Sequence, residues 1–316
     1  MIFICRPQTD PFFNLAAEEF LLKNKTDDIL MLWQSHPSVI VGKHQNTLAE
    51  VNIDYARENH IAVIRRISGG GTVYHDQGNI NISLMTTVSK NKNLIDFKSF
   101  TRPIRDFLYQ FELKTAFEGK NNLTINGKKF SGNSAHVFKN NVLHHGTLLY
   151  QTDLEKLEKV TRPNSKNIAD KSIKSIRAHV TNIADFLSHP PSTDRFREDL
   201  KQFLKRHYSI HTERPLSKAE EQAIEKLATE KYKNWQWTFG YSPRYRIRQQ
   251  YQTVYGTFQV DLEVNDGLIR QITLLFENKR LEKIEQKLLG KRHSKETLLP
   301  LLKGNRFSET IIETLF

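Results

Sequence analysis

Three consecutive glycines, Gly69 to Gly71, lie between two short runs of strand-forming residues and limit the possible folds more than any other feature of the chain. The runs are Ile61 to Arg65 and Thr72 to Tyr74, and they predict two strands joined by a glycine loop. Glycine loses much backbone entropy on folding, so a triplet is expected where the backbone takes a positive φ or where a ligand approaches closely. Because Arg65 and Arg66 precede the glycines, the loop predicts a site for phosphate or carboxylate. The alternative is a glycine-rich turn beside two solvated arginines, and the stretch matches neither a dinucleotide-binding nor a P-loop motif.

A second stretch, Asn126 to Ala135, combines a turn signal with lysines and several small polar residues. Asn126-Gly127 predicts a tight turn between strands. A lysine that enters a space lined by small residues can hold negative charge that moves during phosphoryl or acyl-adenylate chemistry. The alternative is an exposed lysine at the tip of a hairpin, and the pattern leaves both interpretations open.

The predicted elements change character along the chain and indicate two domains. The N-terminal part alternates short strands and helices, and helices dominate from Asp153 to Lys231. Alternating residues at 251–276, on either side of Asn265-Asp266-Gly267, predict a β-hairpin. We therefore expect a boundary near residues 242–247, with a large domain at 1–246 and a small domain at 247–316. Helices are predicted at Asn14 to Leu22, Asp54 to His60, Phe97 to Phe111, Asp153 to Val160, Asp194 to His207, Ser217 to Lys231, 278–289, 294–302 and 308–315.

The formal net charge of +12 indicates an anionic partner, but charge alone does not distinguish a nucleic acid, a small anion and an acidic protein. No RNA-binding aromatic motif accompanies the basic residues, so a nucleic-acid partner is not expected. No apolar run approaches the roughly 18 residues needed to cross a bilayer, and the N-terminal stretch has no export signal. Together with a single cysteine, these features lead us to expect a cytoplasmic protein without membrane contact.

Three further sets of reactive side chains are interpreted as structural. His144-His145 lies on a predicted strand, where adjacent residues face opposite ways, and no carboxylate or cysteine set accompanies the pair as metal ligands would require. His75-Asp76 has no serine or cysteine nucleophile placed to work with it. Cys5 lies in an apolar run and is expected to be a buried strand residue rather than a nucleophile.

The stretch from Asp170 to Asn182 is polar and basic, and it leads into a predicted helix that Thr181 or Asn182 would cap. Such a stretch is usually a solvated loop. The functional alternative is a mobile lid whose lysines and arginine close over a charged intermediate and exclude water from it.

Taken in order, these segments resemble the lipoate–protein ligase A family over nearly the whole chain. The resemblance implies an α+β fold, with a large mixed-sheet catalytic domain of the biotin/lipoate protein ligase type and a small α+β C-terminal accessory domain. A biotin-type ligase is less similar, because its GRGRxGRxW-like signature is missing. The matching motifs are DPFFNLAAEE at 10–19, VIVGKHQN at 39–46, RRISGGGTVYHDQGN at 65–79, KKFSGNSA at 128–135, HHGTLL at 144–149, KSIKSIRAHVTN at 171–182 and WQWTFGYSP at 235–243.

The resemblance also implies a role for individual residues. Lys129 would be the catalytic residue and would contact the acyl carbonyl and the α-phosphate. The lipoate-binding loop would comprise Arg65, Arg66, Ser68, Gly69, Gly70 and Gly71, and ATP and lipoyl-AMP would bind at Arg66, Gly71, Thr72, Val73, Tyr74 and Lys129. The adenylate-binding loop would include Lys171, Ser172, Ile173, Lys174 and Arg177, with Asn79, Ser131, Gly132, His145 and Gly146 as further pocket residues.

The activity implied by the resemblance is ATP-dependent lipoylation of proteins. Lipoate, with octanoate as an alternative substrate, would become lipoyl-AMP with release of pyrophosphate, and Mg²⁺ would bind with the phosphates. The acyl group would pass to a lysine of acidic lipoyl-domain acceptors, such as E2 subunits of 2-oxoacid dehydrogenases and the glycine-cleavage H protein. Relatives often have Asn-Asp where this chain has Asn121-Asn122, which weakens the expectation of a carboxylate contact to magnesium there. An ATP-independent lipoyl or octanoyl transferase or amidotransferase of the same fold stays open, although its thioester route needs a nucleophilic cysteine and only Cys5 is present.

Overall fold

The structure, a computed structural model, describes residues 1–88, 94–163 and 167–316. Within these ranges no helix is long and apolar enough to cross a membrane. The strands are β1 (Ile2–Cys5), β2 (Ile29–Trp33), β3 (Ser38–Val41), β4 (Ala62–Arg65), β5 (Val73–His75), β6 (Asn79–Thr87), β7 (Thr115–Glu118), β8 (Asn122–Ile125), β9 (Lys128–Phe138), β10 (Asn141–Leu149), β11 (Ile168–Asp170), β12 (Thr212–Pro215), β13 (Tyr245–Thr253), β14 (Gly256–Asn265), β15 (Leu268–Phe276) and β16 (Lys279–Arg280). The α-helices are α1 (Pro11–Asn24), α2 (Thr47–Glu50), α3 (Ile53–Glu58), α4 (Phe97–Tyr109), α5 (Leu154–Val160), α6 (Thr193–His207), α7 (Lys218–Leu227), α8 (Glu282–Leu288), α9 (Lys295–Leu301) and α10 (Ser308–Leu315). Shorter turns are a 3₁₀ turn at Ala184–Phe186 and π-helical turns at Ala228–Tyr232 and Gln236–Gly240.

A mixed eight-stranded sheet, in the order β12-β1-β2-β6-β10-β9-β8-β7, forms the centre of the fold. Strands β12, β1 and β2 are parallel, and every later neighbour in the sheet is antiparallel. Side chains alternate between the two faces of a strand. On β6, Ile80, Ile82 and Leu84 pack with residues of α4 and α6, so Asn81 and Ser83 face the opposite side. One face of the sheet is therefore an apolar core, and the other carries buried polar groups.

Helix α1 covers the polar face and begins for local reasons. The Asp10 side chain accepts hydrogen bonds from the backbone N–H groups of Phe12 and Phe13, and Pro11 occupies the first helical turn. The apolar side of α1 packs against β2 and against the small sheet β4-β3-β5. The helix thereby carries two carboxylates, Glu18 and Glu19, into the protein interior, where both are buried.

The two turns predicted from Asn-Gly and Asp-Gly pairs are confirmed. Asn126 and Gly127 have φ values of 50° and 72° between β8 and β9, and Asp266 and Gly267 have 52° and 72° between β14 and β15. Both central residues take positive φ, which matches the right-handed twist of the strands that they join. The pairing of β8 with β9 and of β14 with β15 is antiparallel. Lys128 and Lys129 consequently begin the second strand of a hairpin.

A five-stranded sheet, β11-β13-β14-β15-β16, packs with α8, α9 and α10 around a second apolar core that includes Ile247, Leu262 and Leu298. Its first strand after the long helical region begins at Tyr245. The sheet also takes up β11, a strand that the sequence did not predict, from the middle of the chain. The proposed division into residues 1–246 and 247–316 stays a prediction.

The prediction of a helix that begins at Thr181 or Asn182 is wrong. The chain forms only the 3₁₀ turn at Ala184–Phe186, which follows Ile183 without a side-chain cap. The Asn182 carboxamide is held elsewhere, because it accepts from the Thr152 backbone N–H at 2.9 Å and donates to the Thr152 carbonyl at 3.0 Å.

Arg65 fastens the small sheet to the segment that precedes β13. Its side chain is completely buried, and its guanidinium donates at 2.7–3.1 Å to acceptors on both segments. The acceptors are the carbonyls of Gly42, Lys43, Gln45, Trp237 and Thr238 and the hydroxyls of Thr47 and Ser242. A planar fork of five N–H groups is well suited to such a crowded set of acceptors.

We predict that Arg65→Met lowers the free energy of unfolding by about 3 kcal/mol or more, because each buried acceptor left unpaired costs roughly 1–3 kcal/mol. The matched control is Arg102→Met, whose side chain is 79% exposed and lies 3.8 Å from the Asp106 carboxylate. The control should change stability by less than about 0.5 kcal/mol. Urea unfolding of both variants checks the prediction, and equal small changes would contradict it.

Candidate functional site

Two cavities meet at Lys129 on the polar side of the large sheet. The outer cavity has a volume of about 660 Å³ and includes Arg162, Arg177 and His179 in its wall. The inner cavity has a volume of about 470 Å³ and extends to Trp33. Both cavities are lined by Thr72, Val73, Lys129, Gly132, Thr147, Lys174, Ser175, Ile176 and Ala178. The shared wall makes one continuous site with two chemically different ends.

Only one of the two adjacent lysines belongs to this site. Lys128 is exposed at the hairpin, whereas Lys129 lines both cavities. The Lys129 ammonium lies beside Gly132, where a Cβ atom would be 2.9 Å from Nζ, so the glycine leaves room for the lysine. Burial, and then the positive charge of Arg66, lower the pKa of Lys129. A partly desolvated cation with a like-charged neighbour favours an anionic ligand.

The backbone of Lys129 is joined to the segment 171–182, which we call the covering segment. The Lys129 N–H donates to the His179 carbonyl at 2.8 Å, and the Thr181 N–H donates to the Lys129 carbonyl at 3.0 Å. These bonds form a short parallel bridge between β9 and Val180. The catalytic candidate and the covering segment are therefore held by the same pair of hydrogen bonds.

The three glycines of the loop meet different requirements. Gly70 has a φ of 88°, a backbone conformation that side-chain-bearing residues rarely adopt. Gly71 approaches the covering segment so closely that a Cβ atom would lie 3.1 Å from the Ser175 hydroxyl. Gly69 has open space around it and a negative φ. The sequence-based expectation of a positive φ or a close approach thus holds for two of the three glycines.

Arg66 holds the glycine loop in place through hydrogen bonds to the backbone of the loop. Its Nη2 donates to the carbonyls of Gly69 and Gly71, and its Nη1 donates to the Ile40 carbonyl at 3.0 Å. Burial lowers its pKa to about 10, and the charge of Glu18 opposes that shift. Arg66 lines the inner cavity, but most of its donors are engaged with the protein. Its main contribution is to fix the loop.

Ser175 and Gln45 lock the covering segment onto the glycine loop. The Ser175 hydroxyl accepts from the Thr72 N–H at 2.9 Å and from Gln45 Nε2 at 3.0 Å. Gln45 Oε1 accepts from the Thr72 hydroxyl and the Gly42 N–H, both at 2.9 Å. The Ser175 backbone N–H donates to the Glu50 carboxylate. These bonds hold the segment against the glycine loop at Ser175, whereas Ile173, Ile176 and most of the neighbouring side chains are exposed, so the interpretation of the segment as a lid stays a prediction.

A chain of buried hydrogen bonds connects Arg66 to α1. Arg66 Nε donates to the Ser68 hydroxyl at 3.0 Å, and that hydroxyl lies 2.6 Å from His145 Nε2. His145 Nδ1 lies 2.9 Å from the Glu18 carboxylate, which also accepts from Ser83 at 2.6 Å. Because a carboxylate accepts hydrogen bonds, Nδ1 of His145 is the donor to Glu18, and Nε2 faces the Ser68 hydroxyl. The chain orients the ring that forms one wall of the inner cavity.

The inner cavity ends at aromatic and polar side chains. The Trp33 indole N–H donates to Ser83 at 2.8 Å, and the His75 ring stands edge-to-face against it with ring centres 5.6 Å apart. Burial lowers the pKa of His75 to about 3, with smaller contributions from the charges of Arg66 and His145. His75 is therefore neutral near pH 7. Asn81 completes this end of the cavity.

Most of the residues predicted from the sequence do lie at this site, and some do not. Those that line a cavity are Arg66, Gly70, Gly71, Thr72, Val73, Tyr74, Lys129, Ser131, Gly132, His145, Gly146, Ile173, Lys174 and Arg177. Those that line neither cavity are Arg65, Ser68, Gly69, Asn79, Lys171 and Ser172. Ser68 and Asn79 are each hydrogen-bonded to a residue that lines the inner cavity. Ser68 contacts His145, and Asn79 donates to Asn81.

The placement of Arg65 in the lipoate-binding loop is corrected by the structure. Its guanidinium faces the segment before β13, because adjacent residues at the end of a strand face opposite ways and Arg66 takes the cavity side. In the covering segment, Ser172 bonds to Asp170 and Lys171 is exposed. These two residues anchor or flank the cover instead of lining the site.

The structure also shows where the histidine pair His144-His145 and the single cysteine lie. His144 and His145 do face opposite ways, since His144 accepts from the Asp96 backbone N–H and stacks on Phe100 on the other side of the sheet. The expectation that Cys5 is buried is wrong, because it ends β1 with an exposed side chain and lines neither cavity. Across the described ranges no group of three or more His, Cys, Asp or Glu side chains could hold a metal ion.

Several site residues were missed by reasoning from the sequence. They are Glu18, Trp33, Gln45, Asn81 and Ser175. Glu18, Gln45 and Ser175 do lie within the matching motifs. The family resemblance therefore included these residues, but it assigned none of them a function. Asn79, Asn81 and Ser83 alternate with apolar residues on β6, and that period of two was a signal for a polar face.

Comparison with known protein families identifies two matching regions. Residues 10–205 match the lipoyl protein ligase A/B catalytic domain, and residues 242–315 match the bacterial lipoate protein ligase C-terminus. Among individual relatives, lipoate-protein ligase LplJ of Bacillus subtilis is 33% identical over 302 residues, covering 93% of this chain and 91% of the relative. Lipoate–protein ligase 1 of Staphylococcus aureus is 36% identical over 263 residues, covering 83% of this chain and 80% of the relative.

Solved structures show the same fold. P. falciparum LipL1 in complex with lipoate superposes with a TM-score of 0.65 at 23% identity, covering 99% of this chain and 98% of that one. A lipoate-protein ligase A bound with ATP superposes with a TM-score of 0.65 at 24% identity, covering 76% of this chain and 98% of that one. The first family match covers well over half of the sequence, and the fold is the expected α+β arrangement with a C-terminal domain. The chain therefore belongs to the lipoate–protein ligase family and is a ligase.

Proposed function

We propose that this ligase activates lipoate with ATP to lipoyl-AMP and then transfers the lipoyl group to a lysine of an acceptor protein. The observation that carries the proposal is the position of Lys129 where the two cavities meet. A reaction that joins a carboxylic acid to a nucleotide needs two binding regions and a positive group between them. Relatives of the same fold whose structures contain lipoate or ATP support this assignment.

The two cavities differ in the chemistry of their walls. In the part of its wall that the outer cavity does not share, the inner cavity includes the apolar side chains of Leu15 and Ile40 and suits an acyl chain. The outer cavity includes Arg162 and Arg177 and suits the phosphates and the nucleoside. We assign the acid to the inner cavity with its carboxylate beside Lys129, and the nucleotide to the outer cavity.

In the first step a carboxylate oxygen of the acid attacks the α-phosphorus of ATP. A new P–O bond forms, the bond to the bridging oxygen breaks, and pyrophosphate leaves with the electron pair. The Lys129 ammonium donates to the oxygens that share the developing charge, and Arg66 keeps the glycine loop rigid beside it. No covalent intermediate with the enzyme is required.

In the second step a neutral lysine amine of the acceptor attacks the acyl carbonyl carbon. The amide bond forms, AMP departs with the electron pair of the broken acyl–oxygen bond, and the amine releases a proton. The covering segment keeps water away from the mixed anhydride until the acceptor arrives, because Ser175 and Gln45 hold it against the glycine loop.

Magnesium is proposed to enter with the phosphates of ATP. Among the described residues no cluster of carboxylates forms a site by itself, and the outer cavity has only Glu50 and Glu158 as carboxylates. Asn121 and Asn122 line the inner cavity and supply no carboxylate. The residues therefore fit an ion carried mainly by the substrate, which would supply charge neutralisation on the pyrophosphate.

The acceptors are proposed to be acidic lipoyl domains, in E2 subunits and in the glycine-cleavage H protein. The chain has a net charge of +12, which favours association with acidic partners. A structurally similar archaeal ligase from Thermoplasma acidophilum has been solved in a study with its E2 lipoyl domain, which supports this class of acceptor. A thioester route through cysteine is not supported, because Cys5 lines neither cavity.

We predict that Lys129→Ala lowers the rate of lipoate-dependent pyrophosphate release by at least about a hundredfold, the order expected for a group that stabilises transition-state charge. Lys128→Ala is the matched control, because this neighbouring lysine is exposed and lines neither cavity. The control should keep activity within a few-fold of the wild type. Both proteins should melt within a few degrees of the wild type, and a Lys129→Ala variant that is folded and active would sink the proposal.

A second prediction concerns the covering segment. Ser175→Ala removes the hydroxyl that bonds Thr72 and Gln45, whereas Ser172→Ala makes the same chemical change where the partner is Asp170. We expect Ser175→Ala to raise the ratio of pyrophosphate released to lipoyl groups transferred several-fold, because water reaches lipoyl-AMP. Ser172→Ala should keep the wild-type ratio. The same ratio in all three proteins would remove the protective role of the segment.

A further inference from the structure

We propose that the acceptor protein docks on a basic cluster beside the glycine loop, formed by Lys23, Lys43, Lys139 and Lys231. The partner that fits this surface is an acidic protein domain whose target lysine reaches the inner cavity past the glycine loop. The inference deepens the proposed function and rests on it, because it assumes that the acyl group leaves the inner cavity for a lysine of the acceptor.

The inner cavity opens to solvent at the glycine loop. Gly70 lines the cavity and is exposed, so the wall of the cavity reaches the protein surface there. The preceding residue, Gly69, has open space where a side chain would be. Neither a positive φ nor a close contact accounts for a glycine at this position. The bare backbone at Gly69 leaves room for a partner to approach the opening.

Two hydrogen bonds join the basic cluster to this loop. The Lys43 N–H donates to the Ser68 carbonyl at 2.8 Å, and the Ser134 hydroxyl donates to the Gly69 carbonyl at 2.9 Å. From Ser134, which lines the inner cavity, β9 continues to Phe138 within the cluster. Because a strand rises roughly 3.3 Å per residue, this distance is about 13 Å. The cluster therefore begins at the glycine loop and extends away from the opening along β9.

Glu19 and Phe138 hold three of the four lysines together. Lys23 and Lys231 donate to the buried carboxylate of Glu19 at 2.6 and 2.7 Å. Lys23 and Lys139 lie over the Phe138 ring, with their ammonium groups 5.5 and 5.4 Å from the ring centre. An aromatic face attracts such cations. The three ammonium groups are thus gathered on one part of the surface.

The fourth lysine, Lys43, adds positive charge beside this group. Burial is the largest cause of the lowered pKa of Lys231, Glu19 opposes the shift, and the charges of Lys23 and Lys43 add to it. Among the described residues, Glu19 is the one carboxylate that forms ion pairs with the cluster. Four ammonium groups therefore share one carboxylate, and the excess positive charge favours an acidic partner.

Other basic regions have more carboxylate partners of their own. On α6, Lys201 and Lys205 each pair with Glu213 at 2.6 Å, and this helix packs on the opposite face of the large sheet from α1. On the covering segment, Lys174 pairs with Asp170 at 2.8 Å. By contrast, two of the four lysines in the basic cluster form no ion pair within the described ranges. Excess charge and access to the inner cavity thus coincide at the basic cluster.

An acceptor domain is large enough to contact the basic cluster and the opening at once. A folded domain of about 100 residues has a radius of gyration of about 13 Å, which equals the estimated distance from Ser134 to Phe138. A domain docked on the cluster would lie over Gly69 and present its lysine at the opening beside Gly70. Because the attraction acts between surface charges, it should speed association and weaken as salt is added.

The test measures transfer of the lipoyl group from preformed lipoyl-AMP to an E2 lipoyl domain of net negative charge, with the full-length protein. The variant is Lys43→Glu/Lys139→Glu. The matched control is Lys98→Glu/Lys283→Glu, which makes the same change in net charge at exposed lysines of α4 and α8 that line neither cavity. We expect the variant to lower kcat/KM for the lipoyl domain about tenfold at low salt through KM, with kcat unchanged. The control should stay within about twofold of the wild type.

Two further measurements separate docking from a general loss of function. Lipoate-dependent pyrophosphate release without acceptor should be the same in all three proteins, because the basic cluster lines neither cavity. An increase in salt from about 0.02 to about 0.3 M should bring kcat/KM of the wild type close to that of the variant. Should the double variant not fold, Lys139→Glu at its exposed position decides alone, with an expected loss of about threefold at low salt.

The outcomes distinguish the docking surface from the proposed function. If the wild type forms no lipoyl-AMP from lipoate and ATP, the proposed function fails and the inference fails with it. If the wild type forms lipoyl-AMP and transfers the lipoyl group, but the variant matches the control or its loss persists at high salt, the basic cluster is not the docking surface. The proposed function then stands.

Discussion

The backbone bridge between Lys129 and the covering segment is the interaction on which the rest of the site depends. It consists of two hydrogen bonds, to the His179 carbonyl and from the Thr181 N–H. The bridge places the lysine at the meeting point of the cavities and, with the same bonds, holds the end of the segment that closes over them. A displacement of β9 or of the covering segment would therefore separate the Lys129 ammonium from the covering segment.

Basic side chains outnumber carboxylates among the residues that line the two cavities. Burial, and then the positive charge of Arg66, lower the pKa of Lys129, and Arg66 is itself buried. The cost of this arrangement is offset around Arg66 by backbone carbonyls and by Glu18, which is carried in on α1. The remaining positive potential is directed to the cavities. The carboxylate and the triphosphate of the proposed reaction would neutralise it.

Local signals predicted the features that a short stretch of chain determines by itself. The turns at Asn126-Gly127 and Asp266-Gly267 and the change in character before Tyr245 were visible in the sequence, because positive φ and alternation are local properties. The direction of Arg65 and the pairing of β11 were not, because each depends on a partner far away in the sequence. The family resemblance named Lys129, but only the fold shows that Lys128 points away and that Asn81 faces the cavity.

The most direct test of the account is exchange of labelled pyrophosphate into ATP, measured with the full-length protein in the absence of any acceptor. Because the proposed first step is a reversible attack of lipoate on ATP, the label should enter ATP only when lipoate is present. Mass spectrometry of the same mixture should detect lipoyl-AMP. Transfer of a lipoyl or octanoyl group to a lipoyl domain without ATP, together with no lipoate-dependent exchange, would contradict the account.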